Sequence, residues 1–235
     1  PHPFRTPNQD TAAVLPSGKN SGVLVVADGM GGTRHGGAAA AITIRHLAKH
    51  LPTDSEEPLR TSILNGIESA NQHLLDKLPD AGATVAAVEL ESHTIRPYHV
   101  GDSVIMVIGQ RGKLKLQTVA HSPVGLAEAS GLLNETEALH HHERHIISNA
   151  IGSPEMRIEL GAPLPLARFD TVLLASDGLT DNLRLDEIIA LIRTGPLARG
   201  VARLADAADE RMRHHRPGDP NKPDDLTILA YRRTS

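Results

Sequence analysis

Residues 22–32 read GVLVVADGMGG, an apolar run from Val23 to Ala27 that ends on Asp28 and then on glycines. The run has the length and the β-branched content of a buried strand. An ionised carboxylate at the end of such a strand is costly unless a helix N-terminus, an arginine or a cation meets it. The junction recurs. LLASDGL (173–179) carries a second apolar run into Asp177, and YHVGDS (98–103) carries a third into Asp102 with Gly and Asp reversed. Asp-Gly by itself is an ordinary turn dipeptide. Turn chemistry does not predict the ordered set RTPNQD (5–10), DGMGG (28–32), GATVAAVEL (82–90), HVGDS (99–103), SDGLTD (176–181) and PDDLTIL (223–229). Carboxylates gathered in one place repel one another, so such a set requires a positive centre. Cysteine is absent and no regular histidine pair stands at the junctions, so an all-oxygen donor set favours Mg2+ or Mn2+ over zinc. A glycine beside each aspartate lets backbone approach closely and offers its carbonyl as a further oxygen.

The composition narrows the class. With 40% apolar residues over 235 positions the chain can build a substantial core, and it reads as one globular domain over 1–235. A net charge of −4 gives no electrostatic reason to expect nucleic acid or an anionic membrane as partner. No apolar run approaches the roughly 18 residues that cross a bilayer. Aromatic residues make up 2%, so stacking platforms for bases are missing and the core falls to Ala, Val, Leu and Ile. The absence of cysteine fits a reducing compartment, and the expectation is a cytoplasmic monomer.

Along the chain, residues 1–20 read as polar and turn-rich, and GVLVVA as a strand. GAAAAITIRHLAKHL has helical periodicity and stops at Pro52. A second helix follows, with Ser55 as a candidate cap and an apolar face at Leu59, Ile63, Ile67, Ala70, Leu74 and Leu78. ATVAAVELES, TIRPYHV, VIMVIGQ and KLKLQTV are short β-type runs separated by turn residues, the pattern of antiparallel hairpins. Residues 121–147, helix-leaning around NETEALHHHERH, interrupt the β-run as an inserted flap. RIELGAPL and DTVLLAS resume strands, RLDEIIALIRT and PLARGVARLADAADERMRHH predict two amphipathic helices, and LTILAYR closes with a strand. The order predicts an α+β architecture, sheet layers with helices packed outside.

In that order the motifs resemble the metal-dependent protein phosphatases of the PPM, or type 2C, class, with the bacterial branch most similar. The resemblance covers nearly the whole chain. Arg5 with NQD (8–10), Asp28 to Gly32, Gly-Asp-Ser at 101–103, Ser-Asp-Gly at 176–178 and DDLTIL (224–229) carry it, and Gly82-Ala83-Thr84 matches a Gly-Thr-Thr strand imperfectly. The family pattern places Asp225 at a ligand position with Leu226 where Asn is usual, and Ala120 where the flap often begins with Asp. The resemblance implies two antiparallel β-sheets packed as a sandwich, flanked by α-helices, with two Mn2+ or Mg2+ ions at one end. By position, Asp28 would bridge the ions and the Gly29 carbonyl would add a ligand. Asp177 and Asp225 would hold one ion and Asp10 the other, directly or through water. Asp102 with Asp177 would bind a third ion near the flap, and Arg5 would clamp phosphate oxygens.

The activity implied is hydrolysis of phosphoserine and phosphothreonine by a hydroxide bridging the ions, with Asp28 and Asp10 as catalytic residues. Phosphorylated proteins, a Ser/Thr kinase and its targets, would be the partners. Met30 stands where some members carry a histidine acid. His35 is a nearby candidate acid, and a metal-bound water is the preferred one. His141 and His145 would lie one turn apart on a flap helix, a spacing that can share zinc, although a solvated flap helix is the plainer reading. Two alternatives to a general phosphatase are a metal-stabilised phosphoprotein-binding module without turnover and a phosphatase dedicated to one signalling regulator.

Overall fold

The computed structural model describes residues 2–3, 7–30, 35–51 and 58–234. Its first sheet contains β1 (Thr11–Pro16), β2 (Ser21–Ala27), β3 (Val85–Glu91) and β4 (Thr94–Val100), joined in that order, with β7 (Glu159–Leu160) and β8 (Leu164–Pro165) both pairing β4. The second sheet runs β10 (Ile228–Arg232), β9 (Thr171–Ala175), β5 (Val104–Ile108), β6 (Leu114–Gln117). Every strand pair is antiparallel.

Period-two alternation divides the apolar side chains among three cores. Leu24 and Val26 of β2, Ala86 and Val88 of β3, Ile105 and Val107 of β5, and Val172 and Leu174 of β9 meet between the sheets. The alternate residues Val23, Val25, Val85 and Ala87 face outward under helices α1 (Gly36–His50) and α2 (Leu59–Lys77). Met106, Ile108, Leu173 and Ala175 face the opposite way, under α6 (Leu185–Ile192) and α7 (Leu197–Arg213). Because both faces of the central strands are buried, they read as unbroken apolar runs. The result is the expected sandwich, helix–sheet–sheet–helix.

The helical faces follow the sequence spacing. Leu59, Ile63, Ile67, Ala70 and Leu74 of α2 are buried, as are Gly200, Leu204, Ala208 and Met212 of α7. Ser55 and Pro52 lie outside the described residues. Among the described residues, no helix is long and apolar enough to cross a membrane.

Two expectations need correction. Residues 11–16 are a strand, not a polar turn region. β1 alternates half-buried and exposed residues, with Ala13 and Leu15 against the helix-side core, and this edge position gives only a weak apolar signal. Within 121–147 the helices are α3 (Pro123–Ala129) and α4 (Glu135–Leu139), the latter closed by an Asn134–Glu137 capping box. The helix stops before the histidines, so His141 and His145 do not share a helical turn; His141 Nδ1 accepts a hydrogen bond from the Glu143 N–H.

Candidate metal centre

Strand register brings the aspartates to one end of the sandwich. Thr11 pairs with Ala27, which sets Asp10, just before β1, opposite Asp28, just after β2. In the other sheet Ala175 pairs with both Val104 and Ile228. Asp177 follows Ala175 by two residues, Asp102 precedes Val104 by two, and Asp224 and Asp225 precede Ile228, so all emerge at the same edge. Asp177 opens the short helix α5 (Asp177–Thr180), with Asp181 at its C-terminus.

Two glycines permit the approach. A Cβ at Gly29 would lie 2.3 Å from the Gly36 carbonyl and 2.8 Å from that of Gln9, and one at Gly178 would lie 1.9 Å from the Asp225 carbonyl. The recurrent Asp-Gly therefore serves close backbone contact: each aspartate is followed by the residue that lets a neighbouring segment pass beside it.

The hydrogen bonds join the two sheets. Ser176 Oγ donates to Asp10 Oδ2 at 2.8 Å and accepts from the Thr227 N–H at 3.0 Å. Both Asp225 oxygens accept backbone N–H groups, from His2 and, at 2.8 Å, from Gln9. Asp225 thus holds the N-terminal segment that carries Asp10. Its neighbour Asp224 turns to the other side and shares Lys222 with Asp177 and Asp181.

Burial raises the pKa of Asp28 well above the carboxylate range, and the charges of Asp177, Asp10 and Asp102 raise it further. Asp10 is raised by burial, partly offset by the Ser176 bond. Burial, then Asp177 and Asp181, push Asp102 up to about 8 against the opposing pull of Lys222. Asp181 rises to about 6 through burial and Asp177. One oxygen each of Asp10, Asp102 and Asp177 is buried without a hydrogen-bond partner among the described residues. Orphaned oxygens of this kind, all hard donors and no sulfur, fit Mg2+ or Mn2+.

Residues 5–216 match the family model for protein phosphatase 2C. The chain belongs to that family. The protein phosphatase PhpP of Streptococcus pneumoniae is 30% identical over 205 residues, which cover 83% of this chain and 82% of the relative. The serine/threonine phosphatase Stp of Listeria welshimeri is 25% identical over 241 residues, 98% of this chain and 92% of the relative. Among solved structures, the serine/threonine phosphatase of S. agalactiae superposes with a TM-score of 0.82 at 28% identity, covering 98% of this chain and 95% of that one. The sandwich is therefore the phosphatase 2C fold.

Of the expected residues of this phosphatase, Asp10, Asp28, Asp102 and Asp177 fall in one cluster, Gly29 adjoins it, and Arg5 lies outside the described residues. The sequence reading omitted Asp181, Asp224 and Lys222. Asp181 carried a usable signal, since it stands one helical turn after Asp177. Met30 packs over Gly82, its Sδ 2.5 Å from where a Cβ would stand there, and His35 is exposed.

Beside the aspartates lies a cavity of about 350 Å³ between α3 and α4 on one side and β5, β6 and α6 on the other; Asp102, Asp177 and Asp181 line it with Val104, Met106 and Leu183. At the base of the 121–147 segment His99, His121 and Glu159 form a second polar group. His121 Nδ1 accepts the Gly101 N–H at 3.1 Å, which leaves its Nε2 as a donor to Glu159 at 3.0 Å. His99 Nε2 donates to the Val119 carbonyl at 2.9 Å. These bonds tie the segment's base to the sheet, and the same three residues bring one ligand atom each within 4.8 Å of one another.

Proposed function

We propose that the acidic cluster of this protein serine/threonine phosphatase is a dinuclear Mn2+ or Mg2+ centre. Asp28 would bridge the ions, with Asp10 on one side, Asp177 and Asp224 on the other, and the Gly29 carbonyl as a further ligand. Asp224 takes the place first given to Asp225: Asp225 is spent on the His2 and Gln9 N–H groups, whereas Asp224, with Oδ1 on the Asp225 N–H and Oδ2 at Lys222, feels the charge of Asp177. The ions, when bound, neutralise charge on the phosphoryl oxygens and acidify water at neutral pH.

The chain's residues prepare the centre. Ser176 holds Asp10 across the sheet boundary, Asp225 fixes the segment before it, and Gly29 and Gly178 keep the backbone close enough for acids from both sheets to meet. The observation that carries the reading is the set of orphaned oxygens on Asp10, Asp102 and Asp177 around Asp28. The catalytic domain of the phosphatase PstP, in complex with two manganese ions, shares the fold at a TM-score of 0.73 and 24% identity; the same ion count is our reading for this chain. The substrates are phosphoproteins. The proposal further takes a Ser/Thr kinase as their source, a monomer as the acting form, the cytoplasm as its location and Arg5 as the phosphate clamp.

Hydrolysis of p-nitrophenyl phosphate and of a phosphothreonine peptide should require added Mn2+, cease with EDTA and return with excess metal. Asp28→Ala should fall to the chelated background. Turnover indifferent to EDTA, or retained by that variant, would sink the reading.

A further inference from the structure

Asp102 stands in the turn between β4 and β5, and one of its oxygens is buried without a hydrogen-bond partner among the described residues. An acid in a turn points where the turn points it. This turn is gripped from two directions. On the metal side, the Thr84 N–H donates to the Asp28 carbonyl at 2.8 Å, and Thr84 Oγ1 shares a hydrogen bond of 2.6 Å with Ser103 Oγ. Thr84 also abuts Gly101, whose φ of +98° suits glycine; a Cβ there would come within 2.6 Å of the Thr84 side chain.

On the opposite side the grip is a single residue, His121. Its N–H donates to the Gly101 carbonyl at 3.0 Å, and its Nδ1 accepts the Gly101 N–H at 3.1 Å. The ring is held in turn. Nε2 donates to Glu159 Oε2 at 3.0 Å, and His99 stacks on the imidazole with ring centres 4.3 Å apart. The 121–147 segment begins at His121, and its far end returns there. The Ser148 N–H donates to the His121 carbonyl at 2.8 Å, and Asn149 Nδ2 donates to the same Nδ1 at 2.8 Å. Packing alone would not call for a nitrogen at this point. An apolar side chain could fill the space, but it would leave the N–H of the buried Gly101 without its acceptor.

We infer that His121 is a positioning residue of the phosphatase reaction: through Gly101 it sets the direction of Asp102 and ties that direction to the seating of the 121–147 segment. The inference rests on the metal-centre reading, with the unpartnered Asp102 oxygen facing a manganese ion beside Asp177. His121 acts on that ion through Asp102 and gives it neither a ligand atom nor a charge.

The test is the Mn2+ concentration for half-maximal turnover of a phosphothreonine peptide by variants of the full chain. Asn carries its oxygen one bond from Cγ, as His carries Nδ1, whereas Gln carries its amide one bond further, as His carries Nε2. His121→Asn therefore keeps the acceptor for Gly101, and His121→Gln keeps only the donor to Glu159. His121→Asn should stay within about threefold of wild type, while His121→Gln and His121→Ala should need about tenfold more Mn2+, the lower end for residues that orient a metal ligand. In an Asp102→Asn background the same His121 substitutions should add nothing further. Equal shifts in His121→Asn and His121→Gln, or effects that multiply with Asp102→Asn, overturn the proposal. The contrast between Asn and Gln decides by itself should His121→Ala not fold. Wild-type turnover without metal would overturn the metal-centre reading and this inference together, whereas a metal-dependent wild type matched by His121→Gln would overturn only the inference.

Discussion

On the first-sheet side of the cluster, Asp10 and Asp28 stand at paired strand ends with no lysine or arginine partner among the described residues, and the charge of each works against ionisation of the other. On the second-sheet side, Asp177, Asp181 and Asp224 surround Lys222. The acids are similar and the backbone supports are similar; the difference is whether the chain supplies the cation. Asp177 belongs to both sides, one oxygen on the lysine and the other buried without a partner. Asp10 and Asp28 thus depend wholly on an outside cation, whereas Asp177 and Asp224 are partly neutralised by the chain's own ammonium.

The widest separation between the sides comes from substitution at their centres. Asp28→Ala should lower manganese-dependent turnover at least about 10³-fold, roughly 4 kcal/mol of transition-state stabilisation. The adjacent pair Asp224 and Asp225 sharpens the contrast. Asp224→Asn should weaken metal binding by about 100-fold, the upper end for residues supporting a metal site. Asp225→Asn retains one acceptor for the two backbone N–H groups. It should therefore lower Tm by about 2–4 °C, the effect of about 1 kcal/mol on a domain of this size, while leaving metal affinity within a fewfold of wild type. Calorimetric titration of both variants measures this, and the reverse ranking would return the ligand role to Asp225.

That pair also marks where the sequence stops being readable. Asp28, Asp102 and Asp177 were visible because each borders a strong apolar strand, and antiparallel pairing then carries strand ends to a common edge. Asp224 and Asp225 sit side by side in a Pro/Asp loop. A one-residue shift turns a side chain to the other face, and only the pairing of Ile228 with Ala175 fixes the register. Lys222 had no periodic signal because side-chain clamps from Asn182 and Arg144, not a strand, set its place. Alternation and order carried the α+β class; the two-sheet sandwich itself came from family resemblance. β1 was missed because half of its residues face solvent and its apolar content is low.

The two sides should also differ in their response to pH when metal is removed. The folded chain holds a proton on Asp181 to about pH 6 and on Asp102 to about pH 8. In the unfolded chain both release it near 3.9. The folded state therefore binds more protons across that window. Stability is fully present below the unfolded value and is lost as pH rises through 6 and then 8. Tm of the metal-free protein should fall between pH 5 and 8.5. Asp102→Asn should flatten the upper part of that slope, and saturating Mn2+, which binds the deprotonated acids, should reverse it. A metal-free Tm that rises over the same range would mean that Lys222 compensates both sides.

The smallest expected effect tests the join between the sides. Ser176 Oγ bonds Asp10 of the first sheet and accepts the Thr227 N–H of the second, so its removal loosens an acid without removing one. Ser176→Ala should weaken binding of one of two manganese ions about tenfold, about 1.4 kcal/mol, since an outer partner orients a ligand without contributing its charge. The other ion should be unaffected, because Asp177 and Asp224 keep their contacts with Lys222. Two resolved affinities in a manganese titration, of which one moves, would place Asp10 on a single ion of the pair. Equal weakening of both would instead mean that Ser176 sets the spacing of the two sheets, and the halves of the cluster would then respond as one unit.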